Sequence, residues 1–170
     1  MRKIAISLSK GGVGKTTTAV NLSAGLARAG YKVLLIDTDT QGQASRALGV
    51  SSEAGLAELL SGETTPAESI HEVRENLYLL AGGRSLAGLK RAIDRKDFGG
   101  EKTLTEGLEP LDSSFDYAIL DTAPGWDSLT VNVLFYVDEI LSPVSMEILT
   151  VSGLMDFQES IQAIQKYRPE

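Results

Sequence analysis

The chain has 170 residues, 42% of them hydrophobic and 23% charged, with a formal net charge of −7 and no cysteine. That length holds one domain with a sizeable core and is short for two, and the balance is that of an ordinary soluble globular protein. The missing cysteines exclude disulfides, thiolate zinc sites and cysteine-ligated iron–sulfur clusters, and the acidic balance argues against a globally basic nucleic-acid binder.

No apolar run reaches the ~18 residues of a transmembrane helix. The N-terminal MRKIAISLSKGG is too short in its apolar part for a signal peptide, and residues 3–8 read as a first strand. Residues 15–29 place Ala19, Leu22, Leu26 and Ala29 at helical spacing, and Gly30 follows where a helix stops. YKVLLID, 31–37, is a near-continuous apolar strand of the kind found inside a parallel sheet. Residues 42–62 suggest short helices and turns, NLYLLAG at 76–82 a third strand, and 84–96 an amphipathic helix with a basic outer face. Another amphipathic helix is expected near 102–112, a fourth strand within 115–125, a helix over 127–136, a fifth strand in DEILSPV and a long helix over 148–167. The alternation gives an α/β fold with a mostly parallel sheet and no internal repeat or interdomain linker.

Residues 9–16 read Ser-Lys-Gly-Gly-Val-Gly-Lys-Thr. The phosphate-loop pattern G-x-x-x-x-G-K-[ST] is met except at its first glycine, replaced by Ser9. Gly11, Gly12 and Gly14 let backbone N–H groups turn inward as a nest for phosphate oxygens, and the following helix adds its positive dipole end. Lys15 supplies a charge to the outer phosphates, and the Thr16 hydroxyl is suited to magnesium. Asp37 and Asp39 follow the second strand and Asp121 ends the fourth. Ligands of open α/β sheets sit beyond the carboxyl ends of the strands, so these carboxylates converge on the phosphates.

KGGVGKTT resembles the deviant Walker A motif of the ParA/MinD superfamily of P-loop ATPases. VLLIDTDTQGQAS is similar to the second motif of that family, FDYAILDTAPG to its Walker B strand, and ILSPVSMEILTVSGL to its later strand, turn and helix. The likeness is closer to the ParA partition branch than to MinD. It implies a P-loop fold with a twisted, mostly parallel sheet flanked by helices on both faces. It also implies that residues 1–170 are one ATPase domain lacking the last strands and C-terminal helix of the family.

The cofactors implied are ATP and Mg2+, and the nucleotide-holding residues Lys10, Gly11, Gly12, Val13, Gly14, Lys15, Thr16, Thr17 and Glu147. Lys10 is the extra lysine that reaches a dimer partner's phosphates, Lys15 and Thr16 act within their own subunit, and Asp39 positions the attacking water. Asp37 and Asp121, with Thr16, are implied to hold magnesium and its waters. Thr40, Gln43 and Ala123 depart from the usual proline, asparagine and proline of the family motifs.

The function implied is slow ATP hydrolysis, homodimerisation on ATP and non-specific DNA binding that segregates plasmid or chromosomal DNA. A ParB-type centromere-binding activator is the implied partner, and the location is cytoplasmic, on the nucleoid when ATP is bound. The alternative is a relative that positions a membrane or protein cargo. A MinD-like membrane cycle needs a C-terminal basic amphipathic helix, whereas FQESIQAIQKYRPE has only Lys166 and Arg168. Lys90, Arg91, Arg95, Lys96 and Lys102 are the densest positive stretch, read as a solvated helix face or a DNA-facing patch. His71 is assigned no role, and Trp126 is expected to pack.

Overall fold

Strand β2 (Val33–Asp37) is buried at every position. Leu34 and Ile36 point to one face of the sheet, and Val33 and Leu35 to the other, as the two-residue strand period requires. A strand with no polar face needs cover on both sides, and the chain provides it. Leu34 and Ile36 pack with Leu56, Leu89, Leu104 and Val133 from helices α3 (Leu56–Ser61), α5 (Leu86–Asp94), α6 (Thr103–Leu108) and α7 (Ser128–Tyr136). Val33 and Leu35 pack with Ala19, Ala27 and Ala44 from α1 (Lys15–Arg28) and α2 (Gln43–Ala47).

This is a computed structural model that describes residues 1–167. Arg168 and the rest of the KYRPE terminus beyond Tyr167 lie outside the described residues. The six strands are β1 (Arg2–Ile6), β2, β3 (Ile70–Arg74), β4 (Leu77–Leu80), β5 (Tyr117–Asp121) and β6 (Glu139–Leu141), in the order β3-β4-β2-β5-β1-β6. All neighbours are parallel except β3 and β4. A short α4 (Pro66–Ser69) precedes β3, and α8 (Ile148–Gln165) follows β6. The expected mostly parallel sheet with helices on both faces is therefore the observed one.

Two details differ from the sequence expectation. Residues 70–74 form an antiparallel edge strand, joined to β4 through Asn76 at φ 60°. Its His-Glu-Val-Arg stretch carries charge outward, as exposed edges do, and that polarity hides it from a search for apolar runs. His71 on this strand is half-buried, its Nε2 2.6 Å from the Ser52 hydroxyl, so it ties down the loop before α3. The helix expected near 102–112 is the six-residue α6 between two 3-10 turns, Gly100–Lys102 and Glu109–Leu111.

Candidate functional site

The sheet brings three strand ends together. β1, β5 and β2 are adjacent and parallel, with Ile6 in register with Asp121 and Asp121 in register with Asp37. The loops that leave these strands open on the same edge of the sheet.

After β1 the chain passes through the glycine loop into α1. Gly12 and Gly14 have φ of 76° and 89°, a region that side-chain-bearing residues rarely enter. Among the described residues no side chain caps α1, and its first turn has no acidic residue. The leading amides of a helix lack intrahelical acceptors, so they and the positive dipole end remain available to an anion. Lys15 is only 6% exposed and donates to the Lys10 carbonyl oxygen at 2.7 Å. Burial lowers its pKa, against the opposing pull of Asp121 and Asp39.

After β2 the chain folds back on Asp37. The Asp37 Oδ1 accepts from the Asp39 amide at 3.0 Å, and Oδ2 from the Ala44 and Ser45 amides at 3.0 and 3.2 Å and the Ser45 hydroxyl at 3.3 Å. Burial raises its pKa, partly offset by these donors. Asp39 is turned toward the glycine loop, its Oδ1 accepting from the Gln41 amide at 2.9 Å.

After β5 the arrangement is different. Asp121 is fully buried, and neither carboxylate oxygen has a partner in hydrogen-bond geometry among the described residues, though the Thr16 hydroxyl lies near enough to favour its charge. Burial pushes its pKa up to about 7; Asp37 and Asp39 add to the rise, and the Thr16 hydroxyl and Lys15 ammonium oppose it. A buried carboxylate without a donor is costly and calls for a cation. Among the described residues no group of three or more His, Cys, Asp or Glu forms a metal cage. The donor set of Thr16 and Asp121 is hard oxygen and too small to enclose an ion alone. That suits magnesium, which keeps waters and takes phosphate oxygens as further ligands.

Gly11, Gly12, Gly14, Lys15, Thr16, Thr17, Asp39, Gln43, Thr122 and Pro124 line a cleft of about 260 Å³. Larger cavities, such as one of about 630 Å³ beside Arg28 and Arg74, hold none of these residues. Chemistry rather than volume therefore marks the site.

Lys10, Val13 and Glu147 lie outside the cleft lining. The Lys10 ammonium is 2.7 Å from the Thr150 hydroxyl and 3.3 Å from the Glu147 carboxylate, at the start of α8. It is neither a free surface lysine nor part of the phosphate nest. Gln43, Thr122, Pro124 and Thr150 are site neighbours that motif reading passed over. All four sit inside quoted motifs; Gln43 entered only as a departure from the family's asparagine, and the other three were not singled out. Trp126 packs edge-to-face on Phe157 of α8, ring centroids 5.8 Å apart. Lys90 leaves the basic run for an ion pair with Asp127 at 2.6 Å.

The AAA_31 family model, described as an AAA domain, matches residues 1–170. The chromosome-partitioning ATPase Soj of Thermus thermophilus is 37% identical over 164 residues, 96% of this chain and 63% of that protein. The chain thus spans less than two thirds of this relative's length. The solved structure of apo McdA from Cyanothece superposes with a TM-score of 0.91 at 29% identity, covering 98% of this chain and 67% of that one. A Mycobacterium smegmatis cobyrinic acid a,c-diamide synthase, solved with an ATP analogue and magnesium, has a TM-score of 0.90 at 32% identity, covering 98% and 69%. Neighbours of equal likeness carry different names, so the fold alone does not choose the reaction. What these matches establish is descent: the chain belongs to the ParA/MinD superfamily of P-loop ATPases and resembles its ParA-type partition branch.

Proposed function

We propose that residues 1–170 form one ATPase domain that binds ATP with magnesium and hydrolyses it slowly. In ATP it pairs into a homodimer that binds DNA without sequence preference and segregates plasmid or chromosomal DNA. The observation that carries this reading is the bare, buried Asp121 carboxylate beside Lys15 and Thr16 at the mouth of a left-handed glycine loop.

The amides from Gly11 to Thr17 and the Lys15 ammonium hold the phosphates. The Thr16 hydroxyl, Asp121 and Asp37 hold magnesium and its waters, Asp37 from a loop that its own accepted hydrogen bonds keep folded. Magnesium, when bound, supplies neutralising charge at the outer phosphates. Asp39, oriented through its bond to the Gln41 amide, positions the attacking water in the cleft.

Lys10 serves the partner subunit's phosphates, with Glu147 beside it at the interface. Two facing apo loops bring Lys10 and Lys15 of both chains together and repel; bound triphosphates reverse the sign. Met146, Val151 and Met155 leave an exposed apolar surface at the start of α8, suited to a dimer face.

Support for DNA as cargo comes from the name of the Thermus relative and from exposed Arg91, Arg95, Lys96 and Lys102. A ParB-type centromere-binding protein is the activator in this reading, and the protein is cytoplasmic, on the nucleoid in ATP. Among the described residues no helix is long and apolar enough to cross a membrane.

Sedimentation of the Asp39→Ala protein in ATP, ADP or no nucleotide, with and without Lys10→Ala, tests the proposal. Dimer in ATP alone, lost with Lys10→Ala, is expected. Charge-assisted contacts of about 1.5–3 kcal/mol each make the shift roughly two to four decades for two symmetric lysines. A monomer in ATP would count against it. Calorimetry of Lys15→Ala is the companion measurement, and parental ATP affinity there would sink the phosphate-loop assignment.

A further inference from the structure

Lys10 is held from both ends. Its carbonyl oxygen accepts the Lys15 ammonium at 2.7 Å. Its own ammonium donates to Thr150 Oγ1 at 2.7 Å and lies 3.3 Å from Glu147 Oε2. Thr150 is fully buried, and its Oγ1 also lies 2.8 Å from the Ser145 hydroxyl, so this acceptor is fixed in place. Glu147 occupies the N-cap position of α8. One loop residue thus ties the glycine loop to a helix 137 and 140 positions further along the chain.

An ammonium has three protons to donate. Two of those of Lys10 are directed at α8. A phosphate that draws Lys10 away must break both contacts, leaving Thr150 without its cationic donor and Glu147 without a counterion. We infer that α8, through Thr150 and Glu147, stows Lys10 in the free protein and competes with the triphosphate for it. The two residues are positioning residues of the switch lysine, and the competition regulates the nucleotide site proposed above. The contact rests on the distances; its consequence for ATP rests on that proposal.

Linkage fixes the direction. A ligand that needs Lys10 free binds more weakly by the fraction of protein in which Lys10 is stowed, so removing the stow tightens binding. Glu147 is 71% exposed, and its ion pair is screened. The bond to buried Thr150 is the larger restraint. Together they set a factor of roughly three to ten in half-saturation.

Two measurements on the full chain test this. In the absence of nucleotide, hydrogen exchange is followed at the amides of Thr150 and Val151, which bond to the Glu147 carbonyl at 2.9 and 3.1 Å. Lys10→Ala and Thr150→Val are expected to speed exchange there several-fold, and Glu147→Gln less. In an Asp39→Ala background, the ATP concentration for half-maximal dimerisation is expected to fall roughly three- to ten-fold with Thr150→Val and, to the smaller end, with Glu147→Gln. With Thr150→Val, ADP affinity should move by less than about two-fold. Glu147→Gln, at an exposed position, keeps the test valid if Thr150→Val misfolds. Unchanged exchange in Lys10→Ala overturns the stow. Normal ATP dimerisation that neither variant shifts overturns the competition alone. A parent protein that binds no ATP overturns the nucleotide reading, and the competition with it.

Discussion

The loops after β2 and β5 begin alike and diverge. Each strand ends in an aspartate, the two are in register, and both side chains are fully buried. Yet Asp37 accepts four hydrogen bonds from its own loop, while Asp121 accepts none among the described residues. The cause lies in the residues that follow. After Asp37 the chain turns at Gly42, φ 59°, and returns the Ala44 and Ser45 amides to the carboxylate. Gly82 permits the close fit, since a Cβ there would lie 2.6 Å from the Asp37 carbonyl oxygen. After Asp121 the chain leaves. Thr122 bonds across to the Ile6 carbonyl at 2.9 Å, Pro124 has no N–H to offer, and Gly125 at φ 110° turns away. A buried carboxylate can be completed by its own backbone or left open, and one sheet edge contains both.

The sharpest way to break the comparison is to remove each carboxylate. Asp37→Ala strands three buried amides and a hydroxyl, and is expected to cost about 3–5 kcal/mol in urea unfolding. A loss below about 1 kcal/mol would show that the loop does not depend on Asp37.

Asp121→Asn should have the opposite sign, stabilising the ligand-free protein by about 1–3 kcal/mol at pH 8. The folded pKa of about 7 lies above the ordinary carboxylate value of 3.8. Below that ordinary value both states bind the proton and no charge is buried, so the pH-dependent cost vanishes. Between the two values only the folded state holds the proton, so the parent loses stability as pH rises, and above about pH 7 the cost is complete. The variant lacks that slope, and its advantage shrinks as pH falls from 8 to 5. Thermal unfolding in chelator across that range reads the effect; a variant no more stable than the parent at pH 8 would mean that Asp121 is not strained. The same substitution should abolish magnesium-dependent tightening of ATP.

The sheet and the glycine loop were legible because their signals are local. Parallel strands buried on both faces read as apolar runs, and a phosphate loop has fixed spacing between strand and helix. The edge strand β3 was not legible, since its exposed face carries charge. The contrast between Asp37 and Asp121 was hidden for another reason. Both follow an apolar run, and what separates them is the return path of the chain. Long-range pairs were invisible too: Lys90 sits in a basic run but reaches Asp127, 37 positions away, and Lys10 reaches Thr150.

The smallest effect lies where the β5 loop ends. Asp127 caps α7, its Oδ1 accepting from the Thr130 amide at 2.9 Å while Oδ2 accepts from Lys90 at 2.6 Å. Burial raises the Asp127 pKa, but the Lys90 and Thr130 donors outweigh it and hold the carboxyl below the usual range. That stabilisation is therefore present above the unfolded carboxylate pKa and fades as pH falls through the lower folded value. Asp127→Ala is expected to cost about 1 kcal/mol, the usual worth of an N-cap. Lys90→Ala should cost less, about 0.2–1 kcal/mol, because the pair is partly open to water and screened. Unlike Asp121, Asp127 has its donors supplied by the protein, so its loss should not become a gain at any pH. A double-mutant cycle in urea at pH 7, repeated at pH 3, isolates the pair. Coupling at neutral pH that weakens in acid is the expected result. Coupling of zero at pH 7 would return Lys90 to the exposed basic face and leave the cap to the Thr130 amide alone.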